Sequence, residues 1–195
     1  MKTPHFAIIG AGTAGLATAI LLAREGNHVT IFEQVDDLSP VGAGLLLQPV
    51  GLAVFDHLGV LDQALKLGAK VTGLEGQLPN KRLLVNSHYQ QAGKDFYGLG
   101  IHRATLCHVL TEKLAEYPSH VTWRMGHTID QIQETTDEVR LFGTHQQQKF
   151  DDCFDAVLIA NGARSHLRPK AWVKVNQAYP WGAAWTIVPE CLSLD

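Results

Sequence analysis

This sequence predicts an α/β fold with a parallel sheet at its centre, and three observations predict it. The runs at residues 6–9 and 156–160 are short and wholly apolar, as strands buried on both faces are. Between the first run and the next strand-like segment lies a helical pattern with a single apolar stripe. The order strand, helix, strand, helix then recurs, with a β-rich insertion at about 70–100.

The first unit starts with Phe6-Ala7-Ile8-Ile9 and passes into Gly10-Ala11-Gly12-Thr13-Ala14-Gly15. A helix is predicted from 13 to 25, because Leu16, Ala19, Ile20 and Ala23 recur at i, i+3, i+4 and i+7. Gly26 follows in the usual post-helix position, and a second strand runs through Val29 and Ile31 to Glu33. This is GxGxxG with a strand before it, a helix after it and an acid about 20 residues on, the Rossmann-like signature of dinucleotide binding. Gly10 permits the tight turn, Gly12 lets backbone approach a pyrophosphate, and Gly15 lets helix and strand pack closely. The helix N-terminus offers unpaired N–H groups to phosphates. Glu33 can accept from ribose hydroxyls and repels a 2′-phosphate, which favours FAD or NAD over NADP at this point.

Further along, an apolar stretch hinged on Gly42 and Gly44 ends at Pro49, and a helix is predicted over 50–58, stopped by Gly59. Residues 71–74, 82–85 and 96–101 are strand-like and are separated by glycines and Pro79-Asn80. A clear helix is predicted over 103–116, with Leu106, Val109, Leu110 and Leu114 on one face and Pro118 beyond it. Three short strands are expected at 121–124, 128–133 and 139–142, joined by polar turns, and the acids Asp151-Asp152 read as a solvated turn. The run 156–160 reads as the other central strand, broken by Asn161-Gly162. Ligands of such sheets bind beyond the carboxyl ends of the strands, where Gly10–Gly15, Glu33 and Asn161-Gly162 all fall.

Composition narrows the function classes. Hydrophobic residues make up 46% of the 195 and charged residues 18%, which suits a packed core. A net charge of −3 argues against nucleic acid or an anionic membrane as partner. The apolar run 6–23 imitates a signal peptide, but Gly10, Gly12 and Gly15 interrupt it and it leads into a strand; no integral membrane segment is expected. Three widely spaced cysteines without a CxxC pair indicate a reducing compartment, the cytoplasm, and inert thiols. Ten histidines show no paired ligand spacing, so no metal is expected. Ser165 and His166 are adjacent, but nothing supplies an oxyanion site or a triad. Trp181 and Trp185 read as core or domain-interface residues.

Four segments together resemble the flavoprotein aromatic hydroxylases, the group of salicylate and p-hydroxybenzoate hydroxylases. They are Ile8 to Gly15 with Phe32-Glu33-Gln34; Gly42 to Pro49 with Leu58-Gly59-Val60; Ile101-His102-Arg103-Ala104-Thr105-Leu106 with Leu110; and Asp155 to Arg168. The resemblance implies FAD as cofactor, NAD(P)H as co-substrate, O2, and a small aromatic ring to be hydroxylated. By position it implies that Gly10, Gly12, Ala14, Gly15, Glu33 and Gln34 hold the adenosine half of FAD. Arg103 would reach its flavin side, Ile129 would offer main-chain contacts near the adenine, and Asn161-Gly162 would lie near the pyrophosphate. Asn161 stands where the family has Asp; the amide keeps hydrogen-bonding capacity and drops the charge. Some members carry a histidine in the stretch matched by residues 44–47; here Leu46 stands in it, so no catalytic residue is transferred.

The family's second flavin motif, Gly-Asp followed by small residues, a histidine and a proline, does not occur in the chain, while residues 179–189 resemble the approach to the substrate domain. The expectation is therefore an FAD-binding domain at 1–175 and the start of an incomplete substrate domain at 176–195, inactive by itself. A chain cut within a domain would expose apolar surface, which favours a homo-oligomer. The first motif alone also fits an NAD-dependent or other flavin oxidoreductase, and a non-catalytic nucleotide-binding fragment.

Overall fold

The computed structural model describes residues 2–38, 43–175, 177–178 and 180–182. Strand β1 (His5–Ile9), helix α1 (Thr13–Arg24) and strand β2 (His28–Phe32) form the first unit. They are followed by β3 (Gly44–Leu47), α2 (Pro49–Leu58), α3 (Leu61–Leu67), β4 (Ala69–Val71), β5 (Gly73–Gln77), β6 (Leu83–His88) and β7 (Gly98–His102). The rest comprises α4 (Arg103–Leu114), β8 (Val121–Arg124), β9 (His127–Glu134), β10 (Val139–His145), β11 (Gln148–Phe154) and β12 (Ala156–Ile159).

A parallel sheet in the order β12-β1-β2-β8 is the centre of the molecule. An antiparallel sheet β11-β10-β9 covers one of its faces and the helices cover the other. The strict alternation of strand side chains explains why β1 is apolar throughout. Ile8 points into the core shared with Leu16, Ile20, Leu106 and Leu110 from α1 and α4. Its neighbours Ala7 and Ile9 point the other way, against Phe32, Ile129, Leu141 and Phe154. The rings of Phe32 and Phe150 stack with centroids 5.9 Å apart, and Phe154 meets Phe32 edge-on at 5.7 Å. A third sheet, β3-β7-β4, and the hairpin β5-β6 make up the insertion.

Helix boundaries follow local chemistry. The predicted stripe of α1 is buried, and Gly26 leaves the helix at a φ of +84°. Pro49 opens α2 and Gly59, at φ +74°, closes it. The N-terminus of α4 is capped by His102, whose Nδ1 accepts the N–H of Ala104 at 3.3 Å.

Several expectations need correction. Asp151-Asp152 is not a turn: both residues lie in β11, where Phe150 and Phe154 face the core and Lys149, Asp151 and Cys153 face water. The charges on the wet face hid a period-two pattern. Strand β12 is not central among the described residues; it pairs with β1 alone, and Ile159 is 44% exposed. Helix α3 and strand β3 lie where no element was assigned. Trp181 is exposed rather than packed in a core. Trp185, Gly42 and all of 176–195 except 177–178 and 180–182 lie outside the described residues, as does most of the predicted start of a substrate domain. Among the described residues no helix is long and apolar enough to cross a membrane, and no cluster could hold a metal ion. Cys107 and Cys153 are free, and burial pushes the Cys107 thiol up, with Arg103 opposing.

Candidate cofactor site

The carboxyl ends of β1, β2 and β12 open into a cleft of about 270 Å³ whose opposite wall is β9. Backbone hydrogen bonds fix its floor. The N–H of Gly10 donates to Phe32 O at 2.7 Å, and that of Ala160 donates to Ile9 O at 2.8 Å. The three strand ends are thereby held in one plane, with the glycine loop between them.

Each glycine of the loop has a different physical reason. Gly10 sits at φ +105°, where a Cβ would also lie 2.7 Å from Ala160 O. At Gly15 a Cβ would overlap the carbonyl oxygen of Gly10, so helix and loop touch there. Gly12 differs from both. Its backbone is extended, φ −75° and ψ 178°, which any residue can adopt, and a Cβ there would meet nothing within 4 Å. Neither conformation nor packing among the described residues requires glycine at that position, which lines the cleft. Gly12 is also the N-cap of α1, with no side-chain cap and no acid in the first turn, so the first N–H groups of the helix are available to an anion.

Glu33 faces the same space. Its carboxylate accepts the N–H of Ala11 at 2.8 Å and that of Val35 at 3.2 Å, which ties the end of β2 to the glycine loop. A carboxylate has about four acceptor positions, so two remain for ribose hydroxyls. Asn161, across the cleft, has its side-chain oxygen buried without a partner among the described residues. A buried acceptor without a donor costs about 1–3 kcal/mol, a cost that a hydroxyl of a bound ligand would remove.

The cleft brings together seven of the ten residues expected at the site: Gly10, Gly12, Glu33, Gln34, Ile129, Asn161 and Gly162. Gly15 lies beneath it as a packing contact. Ala14 is exposed on the first turn of α1, outside the cleft lining. Arg103 is exposed at the start of α4, is not part of the cleft, and has no ion pair among the described residues. Sequence reading missed His127, Thr128 and His166, which line the cleft together with the strand-end residues Ile9, Phe32 and Ala160. His127 stacks on His145 at 4.1 Å, and its Nδ1 lies 2.6 Å from the Met125 carbonyl, so that nitrogen carries the proton. No local signal marks His127 and Thr128, because β9 reaches the cleft only through the packing of one sheet on another; His166 lies on the loop after β12, where the Asn161-Gly162 pair and not the histidine carries the signal.

The donor set fits an adenine dinucleotide: backbone N–H groups for the pyrophosphate, an acid for the ribose, an orphan acceptor and a narrow apolar slot. At roughly the lower limit of small-molecule pockets, the cleft suits one half of such a molecule.

Comparison with known proteins agrees. The family described as FAD binding domain matches residues 3–189. The chain is 32% identical over 169 residues to 3-amino-4-hydroxybenzoate 2-monooxygenase of Streptomyces cremeus, covering 84% of this chain and 41% of that one. It is 30% identical over 147 residues to 3-hydroxybenzoate 6-hydroxylase of Klebsiella oxytoca, covering 72% and 36%. The crystal structure of p-nitrophenol 4-monooxygenase from Pseudomonas putida superposes with a TM-score of 0.78 at 25% identity, over 88% of this chain and 44% of that one. The chain thus spans less than half the length of these relatives.

Proposed function

The chain belongs to the FAD binding domain family, and on that premise we propose that it is the cofactor-holding part of a monooxygenase that hydroxylates a small aromatic ring with NAD(P)H and O2. In this reading residues 1–175 are the dinucleotide-binding domain and 176–195 begin a substrate domain. The observation that carries it is Gly12, a glycine that nothing among the described residues requires, open to a cleft with helix N–H groups beside it.

When bound, FAD supplies the redox chemistry that passes electrons from nicotinamide to oxygen; the protein binds, orients and excludes water. The N–H groups at Gly12, Thr13 and Ala14 would hold the pyrophosphate. Glu33 would accept from the ribose, Gln34 and the main chain at Ile129 would flank the adenine, and Asn161-Gly162 would meet the chain between pyrophosphate and flavin. Arg103, exposed and without an ion pair among the described residues, is free to turn toward the flavin side. The aromatic substrate is supported by these relatives, a monooxygenase and a hydroxylase of substituted benzoates.

An absorbance spectrum of the purified chain, taken after adding FAD and removing the excess, tests this. A retained flavin band supports the reading. A folded chain that retains no flavin and shows no response to ADP overturns it.

A further inference from the structure

His166 follows the Asn161-Gly162 pair on the loop after β12 and belongs to the cleft wall. The loop is tied mostly to itself. Ser165 N–H donates to Gly162 O at 3.2 Å, Leu167 N–H to Ser165 Oγ at 3.3 Å, and Arg168 Nη2 to Ala163 O at 2.8 Å. Among the described residues, one hydrogen bond joins residues 161–172 to any other element. It runs from His166 Nε2 to the carbonyl of Ile129 in β9, at 3.0 Å. Its acceptor lies where the pairing of β9 with β10 shifts register, between Phe142 and Gly143. The bond therefore spans the cleft, from the loop on the parallel-sheet side to the wall on the antiparallel-sheet side.

We propose that His166 is a positioning residue for the dinucleotide: its Nε2–H strut to Ile129 holds the loop of Asn161-Gly162 against β9 and sets the cleft at the width an adenosine fills. This rests on the cofactor reading above and adds a residue to it. A carbonyl can only accept, so Nε2 carries the proton and the tautomer is fixed with Nδ1 as the acceptor. The loop carries the orphan oxygen of Asn161, and Ile129 is a residue of the opposite wall. A change in the strut therefore bears on two ligand-facing walls at once, one of them at Ile129, whose side chain belongs to the core of Phe32, Leu141 and Phe154.

The test measures ADP affinity of the 195-residue chain by calorimetry, for wild type, H166A, H166L and H166Q, together with the ligand-free melting point of each. Gln places an amide nitrogen about where Nε2 stands, and Leu fills the ring's space without a donor. The expected result is ADP binding weakened about five- to tenfold in H166A and H166L, as loss of one neutral hydrogen bond implies. Gln should restore it to within about threefold, and ligand-free melting of H166A and H166L should fall by no more than about 2–6 °C, the cost of one hydrogen bond. A residue of merely structural value would lower the melting point to the same extent while leaving ADP affinity at the wild-type value. Wild-type affinity in both H166A and H166L overturns the inference and leaves the cofactor reading standing. A folded H166Q as weak as H166A overturns the strut. Failure of wild type to bind ADP overturns the cofactor reading, and this inference falls with it.

Discussion

Gly12 and Gly15 lie one helical turn apart and answer to different constraints. A methyl group at Gly15 would overlap the Gly10 carbonyl, and Ile8 stands behind it at 3.2 Å. Gly15→Ala should therefore destabilise the fold by about 1–3 kcal/mol through overpacking, read as a lower urea midpoint at unchanged slope. A methyl at Gly12 meets none of the described residues within 4 Å. Gly12→Ala should cost at most about 1 kcal/mol through the weaker N-cap, while ADP affinity falls more than about tenfold. Parallel urea and calorimetric titrations of the two variants separate the effects. Equal loss of stability in both would mean that Gly12 serves folding. The motif already gives the two glycines different roles, ligand approach and helix–strand packing, and the surroundings of each supply the distances that make the contrast measurable.

At the scale of elements, the ends of β1 and β12 away from the cleft are joined by side chains. Asp155 accepts the N–H of His5 at 2.7 Å, with Lys2 nearby at 3.6 Å, and that bond holds its carboxyl below the ordinary value of 3.8. The His5 ring meets Thr30 Oγ1 at 2.9 Å and packs edge-on against Phe154 at 4.8 Å. Burial, aided by His28 and opposed by Asp155, lowers His5 below its ordinary 6.5. The signs of these two groups agree. As pH falls the unfolded chain takes up each proton first, so each contribution is present above the ordinary value and is lost as pH drops through the folded one. His5 acts below about pH 6.5 and Asp155 only below about 3.8. Melting points between pH 7.5 and 5 should fall less in His5→Gln than in wild type. An equal fall in both would remove His5 from the acid response.

Elements with a strong local period were legible: β1, α1, β2, α2 and α4 follow from apolar spacing and from Gly26, Pro49 and Gly59. Helix α3 was not, since seven residues give barely two turns of periodicity. Strand β11 was hidden by the acids on its wet face, and β12 could not be placed at an edge because strand neighbours are set by non-local pairing. The same limit divides the site. Gly10, Gly12, Glu33 and Asn161-Gly162 carry motif signals, whereas His127 and Thr128 enter only because β9 folds across the cleft.

For the molecule as a whole, the cleft lies between two layers, and a ligand seated in it links the parallel sheet to the antiparallel one. Any ligand that binds only the folded chain raises its stability by about 2.7 kcal/mol at a hundred times its Kd. For a chain of this size each kcal/mol is worth about 2–4 °C, so saturating ADP should raise the melting point by roughly 5–10 °C. The donors around the cleft suit a pyrophosphate and a ribose, with the slot against β9 left for adenine; none of them addresses an isoalloxazine ring. FMN, which carries the flavin without adenosine, should therefore give little shift at the concentration where ADP and FAD both stabilise. Amide exchange should slow in β9 and residues 161–168 on adding ADP and stay unchanged in the hairpin β5-β6, which has no part in the cleft. If FMN instead stabilised as strongly as ADP, the cleft would hold the flavin end, and the polarity of the dinucleotide along the strand ends would have to be reversed.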